Sequence, residues 1–358
     1  MYRIAVLMLK NNALKLSRIW VGINSFLALA FTIISDFIVP EQFLRDSNYF
    51  DQILSSSISG FSGPVSLIGS IYSFIGVRTP GITLRLISAA IFIMNVRLMF
   101  RCFDLELEKK SQYFLTTLCF LLIPFYGSGY SKELLVAIAN ILILGFLYRF
   151  KNILFLYFPL VSILIAITFR PYYLMTLFFF FIVYFILSYI KTVIGRISCI
   201  VLILSAINTT EYHTKLILKF SGVDVLNIRT NSQSALKISA RSQIEQVEPT
   251  GNFLHNLSAL VQLIRSMILP YSGVTPSIYI VVAFGINLAV WGIVFKSLRV
   301  ARIHNSITML ATASFTVAFT MTATFFEVDA GSFVRHIFPY FPLGVIILQA
   351  SSKKREKI

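Results

Sequence analysis

The chain has 358 residues, of which 57% are hydrophobic, 15% aromatic and only 13% charged, and its formal net charge is +16. A soluble domain carries about 25% charged residues, so this composition excludes a soluble globular protein. Apolar runs such as Tyr172 to Ile190 are long enough to cross a hydrocarbon core of about 30 Å as a helix. The sequence therefore predicts an all-α integral membrane protein, with residues 1–358 forming a single polytopic transmembrane domain.

About ten transmembrane helices are predicted in chain order. They begin near Ile19, Ile82, Tyr113, Ser131, Ile153, Tyr172, Val193, Pro276, Ile307 and Arg335. Two long loops separate some of these spans, at about residues 40–80 and 209–275. A glycine-rich apolar stretch in the first loop, Gly60 to Val77, is interpreted as a re-entrant or surface-lying segment. In the second loop, Asn256 to Pro270 has apolar residues at helical spacing, which predicts an amphipathic helix on the membrane surface.

The distribution of charge orients these spans. With ten spans and both termini on one side, that side holds 19 basic and 4 acidic residues, a net charge of +15. The opposite side holds 12 basic and 11 acidic residues, a net charge of +1. Because cytoplasmic loops are enriched in Lys and Arg, both termini are predicted to be cytoplasmic and the long loops periplasmic. The positive charge is thus a topology signal, and no nucleic-acid partner is expected.

Several polar residues are predicted at the periplasmic mouths of the spans. Each has a plain interpretation as a helix cap, a solvated loop residue or an interfacial anchor. Together they form a functional hypothesis, because arginine binds two phosphate oxygens at once and a nearby carboxylate or histidine can accept a proton. The group consists of Lys132, Glu133, Arg170, Arg335 and His336 at span ends, together with Asp46 shortly after the first span and Arg241 in the second long loop.

Three short stretches resemble bacterial Wzy-type polysaccharide polymerases, which are multispanning glycosyltransferases. They are "SKELL" at the start of the fourth span, "RPYYLM" at the end of the fifth and "VRHIFPYFPL" at the tenth. The resemblance implies a bacterial inner-membrane enzyme whose active face is periplasmic. It would transfer a glycan from one undecaprenyl diphosphate carrier to the repeat unit on another carrier, in O-antigen or capsule synthesis.

The resemblance also implies roles for individual residues. Catalytic candidates for activating the acceptor hydroxyl are Asp46 first, then His336 and Glu133. The diphosphate would be bound by Arg170 and Arg335, assisted by Lys132 and Arg241, while Tyr172 and Tyr173 would contact sugar or lipid. Expected partners are the undecaprenyl-diphosphate-linked oligosaccharide, membrane lipids and a chain-length-determining membrane protein; no cofactor and no metal are expected.

Two alternatives remain open at this stage. A glycosyltransferase that moves a single sugar from undecaprenyl phosphate would need similar residues on the same face. A flippase for lipid-linked oligosaccharides would instead carry charged residues along a cavity through the depth of the membrane, often with repeat symmetry. The predicted spans are nearly free of charge at mid-depth, which disfavours the flippase.

Overall fold

The structure is a computed structural model that describes residues 2–35, 82–127, 132–168, 170, 172–220, 252–258, 278–300, 306–326 and 330–353. All regular structure in these residues is helical. Of residues 209–275, the second predicted loop, only 209–220 and 252–258 are described, and the first loop lies outside the described residues. The re-entrant helix at Gly60 to Val77 and most of the amphipathic helix at Asn256 to Pro270 therefore stay predictions.

Twelve α-helices are numbered here along the described chain. Their bounds are α1 (Tyr2–Ile33), α2 (Ile82–Cys102), α3 (Lys110–Leu121), α4 (Ile123–Tyr126), α5 (Lys132–Leu147), α6 (Tyr157–Thr168), α7 (Tyr173–Tyr189), α8 (Val193–Phe220), α9 (Ile278–Val300), α10 (Ile307–Phe326), α11 (Ala330–Ile337) and α12 (Phe341–Lys353). A 3₁₀ segment, Lys151–Leu156, precedes α6, and another, Phe338–Tyr340, joins α11 to α12. Residues 253–258 form a further short helical segment.

Four segments are long and apolar enough to cross a membrane as helices. They are Lys15–Ile33, Lys151–Thr168, Ile307–Thr324 and Phe333–Ser352, and shorter apolar helices cover Glu133–Leu147, Tyr173–Tyr189 and Val193–Ala206. An α-helical membrane protein is therefore confirmed at this coarse level. The number of about ten spans stays a prediction, because several of the remaining helices are shorter than a bilayer requires.

The helix starts coincide with the predicted ones at Ile82, Val193 and Ile307, the start predicted near Arg335 lies five residues earlier at Ala330, and two boundaries differ by more than ten residues. Helix α1 begins at Tyr2 instead of near Ile19, and α8 continues to Phe220 beyond the expected loop start near residue 209. Both extensions carry polar residues. A hydropathy signal ends where apolar residues end, whereas a helical backbone can continue as long as its own hydrogen bonds are made.

The centre of the bundle is formed by α10 and by the broken segment that contains α11 and α12. In Phe333–Ser352, 89% of the residues are buried, compared with 28% in Lys15–Ile33, which lies at the periphery. Helix α10 packs most extensively against α7 and also against α9. The break at Phe338–Tyr340 is held from another helix, since Asn95 Nδ2 on α2 donates a hydrogen bond to the Pro339 carbonyl at 3.1 Å.

One end of the bundle is joined by polar contacts between helix ends. Lys151, before α6, forms an ion pair at 2.6 Å with Asp104, which follows α2. Arg196, in the first turn of α8, is buried and donates hydrogen bonds to the carbonyls of Leu187, Ile190 and Leu298. It thereby links the ends of α7 and α9, as expected if successive helices alternate in direction. We call this end of the bundle, marked by Asp104, Lys151 and Arg196, the basic end.

Candidate functional site

Glu133 lies in the first turn of α5 and is fully buried. A carboxylate is favoured in the first turn because the helix dipole places partial positive charge there. Burial of a carboxylate is nevertheless costly unless cationic partners compensate for its lost hydration. The structure provides those partners from two other parts of the chain.

The first partner is Arg170, which lies between the end of α6 and the start of α7. Its Nη2 atom is 2.6 Å from Oε1 of Glu133, and its side chain is 5% exposed. The backbone holds it in place, since the Arg170 amide donates to the Ile165 carbonyl and the Arg170 carbonyl accepts from the Tyr173 amide. Burial alone would lower the pKa of Arg170, but the negative charge of Glu133 outweighs it, and the pKa lies above its ordinary value. The guanidinium therefore remains charged.

The second and third partners are consecutive residues near the end of α11. Nε2 of His336 is 3.2 Å from the same Oε1 atom of Glu133, and Nε of Arg335 is 3.7 Å from it. The side chains of His336 and Arg335 are 12% and 30% exposed. We call Glu133, Arg170, Arg335 and His336 the arginine cluster. It lies at the helix ends opposite the basic end.

Tyr172 and Tyr173 stand beside this cluster in different environments. The Arg170 guanidinium carbon lies 5.9 Å from the centre of the half-buried Tyr172 ring, and the His336 ring is 6.4 Å from it. Tyr173 is fully buried and packs against Phe319 of α10, with ring centroids 5.5 Å apart. The geometry therefore favours Tyr172 over Tyr173 as a residue that could touch a ligand.

Three of the predicted site residues are not placed by the structure. Asp46 and Arg241 lie outside the described residues, so their roles stay predictions. Lys132 opens α5, but only its backbone is described. Within the described part of the chain, no three His, Cys, Asp or Glu side chains gather as metal ligands would.

Sequence reasoning missed two buried asparagines that join separate segments inside the bundle. Asn140 lies two turns after Glu133 on α5, and its Oδ1 accepts a 2.8 Å hydrogen bond from the buried Tyr157 hydroxyl. Asn95, which holds the break between α11 and α12, is equally buried. An asparagine within an otherwise apolar run is the signal that could have identified both positions, since such residues need a partner inside a bundle.

Comparison with protein-family models, with curated proteins and with solved structures finds no match for this chain.

Proposed function

We propose that this protein is a Wzy-type polymerase of O-antigen or another surface polysaccharide. The observation that carries the proposal is the arginine cluster, in which two guanidiniums and a histidine from separate segments converge on one end of a helical membrane protein. The two arginines carry two positive charges, whereas Glu133 carries one negative charge. The cluster therefore has positive charge in excess, which suits an anionic ligand.

A lipid diphosphate is the ligand class that fits this excess charge in a membrane setting. In the proposed reaction the bond between the sugar anomeric carbon and the diphosphate breaks, and a bond forms from that carbon to an acceptor hydroxyl. The hydroxyl proton passes to a base, and undecaprenyl diphosphate leaves. Guanidiniums placed near the departing diphosphate stabilise its developing charge, which is usually the largest contribution to catalysis of this kind.

The base that accepts the hydroxyl proton is proposed to be Asp46, His336 or Glu133. Among the two described candidates the geometry favours His336. Three nitrogen atoms already surround Oε1 of Glu133, and its side chain is fully buried. A sugar hydroxyl would have to displace one of these partners to reach Oε1, and Oε2 has no hydrogen-bond partner among the described residues but is buried, whereas the His336 side chain is partly exposed.

The cellular setting is part of the proposal. The enzyme would lie in the bacterial inner membrane with both termini cytoplasmic and the arginine cluster at the periplasmic face. Its substrates would be undecaprenyl-diphosphate-linked oligosaccharides, and a chain-length-determining membrane protein would be its partner. The charge asymmetry of the chain supports this orientation, since the basic end carries Lys151 and Arg196 among the cations assigned to the cytoplasm.

The test is a gel of surface polysaccharide from the native strain with the gene deleted and then restored. We expect the ladder to collapse to core plus a single repeat unit and to return on restoration. Restoration with Arg335→Ala should fail, while Lys151→Ala should succeed. Lys151 is the matched control, because it is a cation in an exposed ion pair at the other end of the bundle.

Other results would point to the alternatives. Loss of even the first repeat unit would indicate an earlier step, such as flipping or the addition of a single sugar. An unchanged ladder after deletion would exclude the polymerase. If the Arg335→Ala variant, expressed at the normal level, restores the ladder, then polymerase activity does not depend on Arg335 of the arginine cluster.

A further inference from the structure

The two arginines of the cluster are held in different ways. Arg170 is in direct contact with Oε1 of Glu133 at 2.6 Å and is 5% exposed, whereas Arg335 is 3.7 Å from the same atom and 30% exposed. His336 is intermediate in both distance and exposure. The contact to the carboxylate is thus closest for the most deeply buried cation and longest for the most exposed one.

A single carboxylate oxygen cannot accept hydrogen bonds from three N–H donors equally well. It has two lone pairs, and a charge-assisted N–H to carboxylate hydrogen bond is optimal at about 2.7–2.9 Å. Arg170, at 2.6 Å, makes a short hydrogen bond of this kind, while the 3.7 Å separation of Arg335 is an ion pair without a good hydrogen bond to Glu133. Of the contacts to Glu133, that of Arg335 is therefore the one that an arriving anion can replace most easily, and its side chain is also the most exposed of the three.

We infer that the two arginines have separate roles: Arg335 is the guanidinium that contacts the diphosphate, and Glu133 with Arg170 forms a buried pair that positions it. Glu133 holds Arg335 at the more exposed side of the arginine cluster until the anion replaces the carboxylate in that contact. Arg170 neutralises Glu133 throughout and does not touch the ligand. This inference rests on the proposed function for the identity of the ligand.

The backbone around each arginine is consistent with this division. Arg170 is tied at its amide and its carbonyl to the two helices that flank it. Arg335 lies two residues before the end of α11, next to the 3₁₀ break at Phe338–Tyr340. A side chain that is 30% exposed can follow a ligand with less disturbance than one buried between two packed helices.

The experiment measures binding of inorganic diphosphate to the purified full-length protein in nanodiscs, by isothermal titration and by protection of arginines from phenylglyoxal. In the wild type we expect phenylglyoxal to modify Arg335 and diphosphate to prevent it, with Arg170 unmodified in both conditions. Arg335→Lys should weaken diphosphate binding at least tenfold, because lysine cannot form the two-pronged contact. Glu133→Gln should strengthen binding several-fold while lowering polymerase turnover, a split that simple loss of structure does not produce.

A double variant distinguishes loss of ligand binding from misfolding. Arg170 or Glu133 changed alone leaves a buried charge without its partner, but Glu133→Leu combined with Arg170→Met removes both charges together. We expect this double variant to bind diphosphate at least as tightly as the wild type, because Arg335 is retained and the competing carboxylate is gone. Arg196→Met is the matched control, a buried arginine at the other end whose loss should leave the dissociation constant unchanged.

The outcomes separate this inference from the proposed function. If the double variant folds but loses diphosphate binding, Arg170 contacts the ligand and the division of roles is wrong, although the polymerase stands. If the wild type binds no diphosphate while the ladder still depends on the gene, the inference is again overturned and the polymerase survives. If both binding and dependence of the ladder are absent, the proposed function and the inference fail together.

Discussion

Arg170 and Glu133 are 37 residues apart in sequence, and their side chains meet at 2.6 Å with 5% and 1% of their surfaces exposed. The pair joins the loop between α6 and α7 to the first turn of α5. A buried ion pair of this kind has a large penalty for losing one partner, because the other charge is then left without compensation.

Losing one partner of the buried pair should therefore cost more stability than losing both. Glu133→Gln alone should lower the free energy of unfolding by about 3–5 kcal/mol, the range for breaking a buried pair. Glu133→Leu with Arg170→Met should recover most of that loss, since replacing a buried pair by apolar groups of similar volume is often neutral or stabilising. The measurement is the thermal unfolding of purified protein in detergent, with Lys151→Ala as an exposed control. A double variant as unstable as Glu133→Gln would contradict the prediction.

Gly344 in α12 provides a second prediction, which concerns the packing of α12 against α9 and α3. A Cβ atom at this position would lie 2.5 Å from Cδ1 of Ile293 and 3.3 Å from Cδ2 of Leu115. Gly344→Ala should therefore destabilise the protein by about 1–3 kcal/mol, the usual cost of overpacking. Ile293→Val, which removes the atom that clashes, should restore part of the loss when combined with Gly344→Ala.

The prediction for Gly344 is tested by measuring the melting temperatures of the two single variants and of the double variant. Gly285→Ala in α9 is the matched control, because a Cβ there would meet nothing within 4 Å. Additive effects of Gly344→Ala and Ile293→Val would show that the two positions do not compete for the same space.

The orientation of the chain gives a third prediction. Alkaline phosphatase, which is active only outside the cytoplasm, should be inactive when fused after Asp104 or Lys191 and active when fused after Arg170. The physical reason is the charge asymmetry, with a net charge of +15 on the side assigned to the cytoplasm and +1 on the other. The reverse pattern of activity would place the arginine cluster in the cytoplasm and would remove the lipid-linked periplasmic substrate from consideration.

The sequence by itself determined where several of the helices begin and that the chain is an α-helical membrane protein. The starts at Ile82, Val193 and Ile307 follow from local apolar runs, and hydropathy is a local property that a single sequence carries in full. The alternation of the predicted spans also placed Glu133, Arg170 and Arg335 at the same end of the bundle, where their side chains meet. The extensions of α1 and α8 beyond their apolar runs were not predictable in this way, because hydropathy does not follow a polar helix.

Only the tertiary structure decided how the polar residues meet. That Arg170, His336 and Arg335 share one oxygen of Glu133 depends on how α5, α7 and α11 pack, and these elements are far apart along the chain. From the sequence, each charged residue could be predicted to lie on one side of the membrane. The sequence could not show which other residue it contacts. Distances within a few ångströms are set by side-chain packing between distant helices, and it is these distances that separate the buried Arg170 from the more exposed Arg335.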